Sequence, residues 1–586
     1  MVRHSRKLLS LSVILVLLSV TLIGCMGNNQ APVSSNNPPA STTNPQPNQT
    51  QTNQTQMNNP STSEPQQPAG PPMVNGKYEP AVTLTTVKRI PGAAQYKNGE
   101  TADDNVHYRW VKENLGIEIK NLWSVADTSG AYATRLSLML SSGEELPDVV
   151  FASGSAAQML IDSGRFMEVG ELFDKYASET WKNAMNENPG VWYEFTRDGK
   201  RYGIPNLDYD YNNDPVLWVR KDWMERLNLN PPTNLEEFEK MLEAFTYRDP
   251  DNDGQNNTYG VSTALKNSYN DSFGLGWVFG AYGSLPDFWL VQEDGTLAYG
   301  SVQTEIKQGL QKLKEWVQKG YIPQEAAIWD AAKAGSFMSA GSAGTFAGPY
   351  WSEAWPMGDL NKNNPNAELT TFTLPVGPDG TSMHYGRYPY NGALFINKDM
   401  KNPEIFFTYA NFLFDNIADP KPGTEFEHGW AQGYDWDIVD GEVTYDLEKI
   451  PGGGVRVFFY SLLDQGPRIP SQNVQALVRI HETGEAQTPY EKIWGGFVPE
   501  IEFQSASNVW YSREYSVKNA FTGGTTSTMQ TRWDYLKKLE METFSKIIFG
   551  DEPVDTFDAF VKEWHAQGGQ DITKEVNEWY QSVTQQ

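Results

Sequence analysis

Apolar and polar positions divide the chain into three textures. Residues 1–24 open with Arg3, Arg6 and Lys7 and continue as an apolar run from Leu8 to Gly24 interrupted only by Ser and Thr, the layout of an export signal. That run is slightly shorter than the ~20 residues needed to span a bilayer. From Met26 to about Gly76 the chain is almost entirely Asn, Gln, Pro, Ser and Thr, with Glu64 the only charge. Such a stretch has too little apolar surface to offset its ordering entropy, so residues 26–76 are expected to be a disordered tether. From Lys77 onward short β-rich runs alternate with helical ones. Val82 to Arg89, Ile117 to Trp123 and Asp148 to Phe151 read as strands. Helices are expected near Val106 to Leu115, near Tyr132 to Ser141 and from about Ala156. This alternation predicts βαβ units and a parallel sheet.

Further along, Leu235, Phe238, Met241, Leu242 and Phe245 share one helical face, with Thr233 as cap and Glu236 completing a capping box. Ile306, Leu310, Leu313 and Val317 predict a second amphipathic helix. Three more are expected at Trp533 to Phe549, Val554 to Trp564 and Ile572 to Tyr580.

Charge narrows the partners. With 46 basic against 73 acidic side chains in 586 residues the net charge is −27, so nucleic acid is excluded as a general partner. The single cysteine excludes an intramolecular disulfide and a thiolate metal cluster. Cys25 ends Leu22-Ile23-Gly24-Cys25, which resembles the lipobox of bacterial lipoproteins. That resemblance implies cleavage before Cys25 and diacylglycerol on its sulfur. With two acyl chains the anchor is stable, and it would hold the body on the outer face of the cytoplasmic membrane.

Catalytic signatures are missing: there is no G-x-S-x-G, Walker A loop, G-x-G-x-x-G or H-E-x-x-H, and the six His are scattered. A carboxylate pair for glycoside cleavage is a property of the fold and not of the sequence. One metal motif stands out. Asp249-Pro250-Asp251-Asn252-Asp253-Gly254 places oxygens at loop positions one, three and five with Gly at six, as a calcium loop requires. Gly260 occupies position twelve, where an EF-hand has its bidentate Glu, and positions nine and ten are Asn257 and Thr258. A structural Ca²⁺ is expected here, and no organic cofactor. An Asx-rich turn that binds nothing is the alternative.

Several motifs together resemble extracellular solute-binding protein family 1, the maltose-binding-protein-like receptors of ABC importers, in the large lipoprotein branch of Gram-positive bacteria. They are Glu145-Leu146-Pro147-Asp148-Val149-Val150, Tyr202-Gly203-Ile204-Pro205, Leu217-Trp218-Val219-Arg220-Lys221-Asp222-Trp223, Gly392-Ala393-Leu394-Phe395-Ile396 and Val576-Asn577-Glu578-Trp579-Tyr580. The resemblance implies an α/β fold of two lobes, the periplasmic-binding-protein type II arrangement, closing on a ligand about hinge crossovers near Tyr202 to Asn206 and Tyr390 to Phe395. The implied divisions are a signal at 1–25, the tether at 26–76, lobe one at 77–203 and 391–480, and lobe two at 204–390 with most of 481–586. It also implies a monomeric receptor, not an enzyme, that serves ABC permease subunits. Alginate-oligosaccharide-binding members carry a calcium loop after the equivalent helix, which implies ligation by Asp249, Asp251, Asp253, the Gln255 carbonyl and Asn257.

Sugar sites pair aromatic plates with a few placed polar groups. Candidate rings are Tyr209 and Tyr211 after the first crossover, Trp277 in a Gly-rich stretch, and Tyr350, Trp351 and Trp355 after Ala347-Gly348-Pro349. Tyr388 and Tyr390, then Trp430, Tyr434 and Trp436, complete the set. Asp208, Asp210, Arg387 and Asp435 are the candidate polar partners. Gly154 and Ser155 are candidate main-chain donors at a strand end. The expected ligand is a sugar or oligosaccharide. A secreted carbohydrate-active enzyme and a receptor for a peptide or another solute are the alternatives. The acidic body argues against a polyanionic ligand such as unsaturated uronates unless the cleft is locally basic.

Overall fold

The computed structural model describes residues 70–128 and 130–584. The signal-like segment, Cys25 and most of the Asn/Gln/Pro tether lie outside the described residues. The end of the expected tether is structured: Met73–Val74 pairs antiparallel with Lys77–Tyr78. The reason is local. Asn75 and Gly76 have φ of 51° and 81°, the left-handed pair that a two-residue hairpin turn demands and that Asn-Gly supplies.

Two sheets organise the body. The first has five strands in the order Ile117–Ala126, Val82–Ile90, Val149–Ala152, Tyr390–Ile396, Ile204–Leu207. Its first three strands are parallel, as the βαβ alternation predicts, but Tyr390–Ile396 runs antiparallel to both neighbours. The sheet is therefore mixed. The last two strands are the crossovers, and the strand at 390–396 returns from the second lobe in the opposite direction. At their junction Gly392 has φ 141°, and a Cβ there would sit 2.6 Å from the Ala152 carbonyl oxygen. Only glycine fits that close approach.

The second sheet runs Tyr259–Val261, Ala343–Pro349, Pro215–Arg220, Leu369–Phe372. The internal strand Pro215–Arg220 shows why it is covered on both faces. Leu217 and Val219 enter one hydrophobic cluster, whereas Val216 and Trp218 enter another, as a two-residue side-chain period dictates. The first cluster is closed by the helices Met529–Phe549, Thr556–Trp564 and Gln570–Thr584, through Phe544, Trp564 and Val576 among others. The second is closed by the helices Gln472–Thr483 and Glu500–Tyr511, through Val474, Leu477, Ala506 and Val509. The helix at 472–483 thus packs on the second lobe about ten residues before the return expected at 481.

Helix boundaries follow their caps. Val106–Leu115 starts where the Asn105 side chain accepts from the Tyr108 N–H and stops at Gly116 in the left-handed region. For Leu235–Tyr247 the cap is Asn234, not Thr233. Asn234 is extended and accepts from the Glu237 N–H, while the Thr233 N–H and hydroxyl both donate to the Glu237 carboxylate. The capping interaction is therefore shifted by one residue from the expected Thr233–Glu236 pair.

Candidate functional site

Beyond the first crossover the chain turns through residues 208–214 along the junction of the two lobes. The Asp208 N–H donates to the Pro389 carbonyl and the Asp210 N–H to the Pro470 carbonyl, each at 2.8 Å, so this turn is tied to both later passages of the chain. It forms one side of a cleft of about 560 Å³, within the size range of ligand pockets. Phe458, Gln465 and Arg468 face it from the segment after the return crossover. Tyr350, Trp351 and Trp355 face it from the segment that follows the strand Ala343–Pro349 of the second lobe.

Its polar frame is pre-formed. Arg468 pairs with Asp208, lies 4.6 Å from the centre of the Tyr209 ring and donates to Gln465 Oε1 at 2.8 Å. Burial opposes the charge on Arg468, but Asp208 outweighs it and the guanidinium pKa is raised. Asp208 also accepts from the Tyr209 N–H at 2.7 Å and from Asn212 Nδ2 at 3.2 Å. The Tyr350 hydroxyl donates to Asn473 Oδ1 at 2.7 Å, and Trp351 Nε1 donates to the Asn212 carbonyl at 2.7 Å. The Trp351 and Trp355 rings are 6.3 Å apart, and Trp355 remains 55% exposed. Planar polar groups held by buried partners, with aromatic plates beside them, suit a ligand that has both apolar faces and hydroxyl edges.

Two further groups complete the wall. Glu502, on the helix Glu500–Tyr511, is 3% exposed, lines the cleft and accepts no hydrogen bond among the described residues. Burial, then the nearby Glu353, pushes its carboxyl up to about 8, with Arg456 working in the opposite direction. Arg456 stacks over the Phe497 ring at 4.1 Å, and burial lowers its pKa. A smaller, mainly apolar chamber of about 120 Å³ shares Tyr209, Arg456, Phe458, Trp494 and Phe497 with the cleft and extends to Phe426 and Trp430.

Of the residues singled out from sequence, Asp208, Tyr209, Tyr350, Trp351 and Trp355 come together in the cleft. Others do not. Trp277 is 3% exposed and packs at 5.5 Å against Phe238 and 6.4 Å from Trp316 in the core of the second lobe. Its Gly-rich surroundings form a short buried helix, Gly276–Gly280, and not a loop. Arg387 points away, towards Asp271 at 3.5 Å. Tyr390 donates its hydroxyl to Glu194 at 2.7 Å and packs on Phe195 at the crossover. Tyr211, at φ 61°, packs edge-on against Trp510, while Asp210 pairs with Lys518 at 2.9 Å.

Trp430 and Asp435 line the apolar chamber and not the main cleft. Asp435 accepts from the Trp430 and Ala431 N–H groups at 2.8 Å, and burial pushes its carboxyl up to about 6. It shapes a turn. Trp436 packs on His428 and Tyr434 donates to Glu100. Gly154 and Ser155 begin the helix Gly154–Asp162, exposed at the end of strand Val149–Ala152 and outside the cleft lining. The sequence reading missed Gln465, Arg468, Asn473, Arg456 and Glu502. Arg456 and Arg468 each follow a Gly or Pro turn, Gly452-Gly453-Gly454 and Gly466-Pro467, the one local signal that marked these segments as loops.

The loop after helix Leu235–Tyr247 is curled as a cation site requires. Carboxylate oxygens of Asp249, Asp251 and Asp253 lie within 4.8 Å of one another. The Asp253 and Gly254 N–H groups both turn in to donate to Asp249. Asp251 Oδ1 is buried with no hydrogen-bond partner among the described residues, and its carboxyl pKa is raised by burial and then by Asp253. Gln255 and Asn257 side chains donate to Asp253 at 3.3 and 3.0 Å. Thr258 is otherwise engaged, donating to the Phe245 carbonyl at 2.8 Å. The three crowded carboxylates and the orphaned oxygen fit a hard divalent cation such as Ca²⁺.

Comparison with known proteins gives this geometry a family. Residues 93–419 match the model of the bacterial extracellular solute-binding proteins. A polygalacturonan/rhamnogalacturonan-binding protein, YtcQ of Bacillus subtilis, is 25% identical over 77% of this chain and 83% of its own length. Lipoprotein LipO of the same organism is 23% identical over 82% of this chain and 90% of its own. Among solved structures, alginate-binding protein AlgQ2, determined without calcium ion, superposes with a TM-score of 0.57 at 20% identity, covering 85% of this chain and 97% of AlgQ2. The FusA substrate-binding protein of S. pneumoniae in complex with kestose gives 0.57 at 18% identity, covering 86% of this chain and all of FusA. No helix of the described residues is long and apolar enough to cross a membrane.

Proposed function

Because the chain belongs to the bacterial extracellular solute-binding proteins, we propose that it is a lipid-anchored receptor that captures an oligosaccharide in the inter-lobe cleft and delivers it to the permease of an ABC importer. The observation that carries the sugar reading is the pairing, in one cleft, of the half-buried Trp351 and the exposed Trp355 with the Asp208–Arg468 pair and Asn473. Relatives with sugar-binding names, YtcQ and FusA, support it. Closure would turn on the paired crossovers at 204–207 and 390–396, bringing Gln465 and Arg468 from one side towards Tyr350, Trp351 and Trp355 on the other. Cys25 would carry the diacylglycerol, and residues following it would give the body reach from the membrane.

A panel of oligosaccharides titrated against the purified protein, read by thermal shift and by new reducing ends, tests the reading. Stabilisation without new reducing ends is expected; turnover would replace the receptor with an enzyme. Detergent partitioning of the native chain but not of Cys25→Ala is expected for the anchor. The Asp249 loop would hold Ca²⁺ through Asp249, Asp251 and Asp253, with the Gln255 carbonyl and Asn257 completing the set, and would brace the end of helix Leu235–Tyr247 without taking part in ligand capture. The relatedness to a protein studied as an EF-hand mutant supports it. Calorimetric titration with Ca²⁺ should give heat in the native protein and none in Asp251→Ala.

A further inference from the structure

Four charged residues line the cleft: Asp208, Arg456, Arg468 and Glu502. Asp208 and Arg468 neutralise each other in their buried pair, and the neighbouring Lys518 is taken up by Asp210. Arg456 is left. Among the described residues its guanidinium has no hydrogen bond and no ion pair; its contacts are the Phe497 face at 4.1 Å and the field of Glu502. Glu502, in turn, is almost fully buried and faces the same space, and its carboxyl has no hydrogen-bond partner among the described residues. The groups that face it from the elements packed around it are Glu353, the Tyr350 hydroxyl and Arg456. A carboxyl in those surroundings keeps its proton at neutral pH, which makes it a hydrogen-bond donor. The cleft therefore holds one guanidinium with no ion-pair partner among the described residues and one acidic O–H, inside a chain whose net charge is −27.

We propose that the ligand carries a carboxylate, as a uronic-acid sugar does, and that Arg456 receives it while Glu502 donates a hydrogen bond to it. The inference rests on the oligosaccharide reading above and names the charge of the sugar. A guanidinium matches a carboxylate in a bidentate fork, and its stacking on Phe497 holds the plane of that fork in place. A neutral sugar leaves the Arg456 charge unanswered. An ammonium-bearing sugar meets the guanidinium as a like charge.

Isothermal titration at pH 7 with trigalacturonate, its fully methyl-esterified form, maltotriose and a glucosamine trimer tests the proposal. The acid trimer is expected to bind at least about tenfold more tightly than its ester, the size of one charge-assisted contact. In Arg456→Gln the two should come within about threefold of each other, with thermal unfolding confirming that the variant is folded. As Glu502 ionises between about pH 7 and 9 the native protein should lose affinity for the acid trimer, whereas Glu502→Gln should bind it at pH 9 as it does at pH 7. Equal binding of acid and ester by the native protein, tighter binding of the glucosamine trimer, or an acid preference that survives in Arg456→Gln overturns the proposal. If maltotriose binds and the acid trimer does not, the carboxylate falls and the oligosaccharide receptor stands. If no saccharide of a wider panel binds, both fall.

Discussion

The second lobe uses its aromatic residues in two ways, and the contrast lies in what surrounds the rings. Around Trp277 the neighbours are other rings, Phe238 and Trp316, each almost fully buried. Trp351 rests one side on the apolar cluster of the second lobe and donates its indole N–H to the Asn212 carbonyl, beside the Tyr350–Asn473 hydrogen bond, and Trp355 lies next to it, 55% exposed. Rings that close on each other contribute area to the core. Rings held apart by a polar frame keep a face free for something else. The frame, more than the ring, marks the site.

This contrast can be broken in four places. Trp277→Ala, which opens a cavity among close-packed rings, is expected to cost about 3–5 kcal/mol of stability; equilibrium or scan-rate-controlled unfolding measures it, and a loss below 1 kcal/mol would return Trp277 to the cleft. Asp208→Ala strands the buried Arg468 charge and should cost about 3 kcal/mol together with ligand affinity. Unchanged melting with full binding would remove the pair from the frame.

The third break is a pH profile. The folded protein holds the Glu502 proton up to about 8, whereas an ordinary Glu loses it near 4.5. Between those values the folded state binds more protons than the unfolded one, so this group's contribution to stability declines as pH rises from about 4.5 to about 8, by at most about 1.4 kcal/mol per pH unit. The melting temperature of ligand-free native protein should fall more steeply over that window than that of Glu502→Gln; parallel profiles would contradict the buried, proton-holding carboxyl. Smallest in energy, Trp355→Ala should weaken oligosaccharide binding by about fivefold, on the order of 1 kcal/mol, while melting stays within about 0.5 kcal/mol of native because the ring is mostly exposed. A large loss of stability would place Trp355 with the core rings.

The same contrast explains what was legible in the sequence. Periodicity and capping chemistry are local, so the helix Val106–Leu115 ends where its pattern ends, and the two lobes follow from crossover motifs at 202–205 and 392–396. Deciding whether a Trp serves core or cleft is not local. Trp277 and Trp351 both sit among glycines in sequence, and only the facing elements separate them. The polar frame was harder still: Asp208 and Arg468 meet from opposite sides of the return crossover, and neither has a neighbour in sequence that announces the other. The acidic loop at 249–257 was visible because all its candidate ligands lie within nine consecutive residues.

The strand Tyr390–Ile396 has a consequence for how this protein is made. It is the strand through which Val149–Ala152 and Ile204–Leu207 join one sheet, with Ala393 opposite both Ala152 and Pro205, and the core of the second lobe is finished only by Phe544, Trp564 and Val576. Neither half can be completed from an N-terminal portion of the chain, so both must wait for distant segments and meet the slow kinetics of long-range closure. A chain built this way stays unfolded until most of it has been synthesised. The strand at 390–396 thus sets the order of assembly: the two halves are completed together, late, and by segments far apart in the chain.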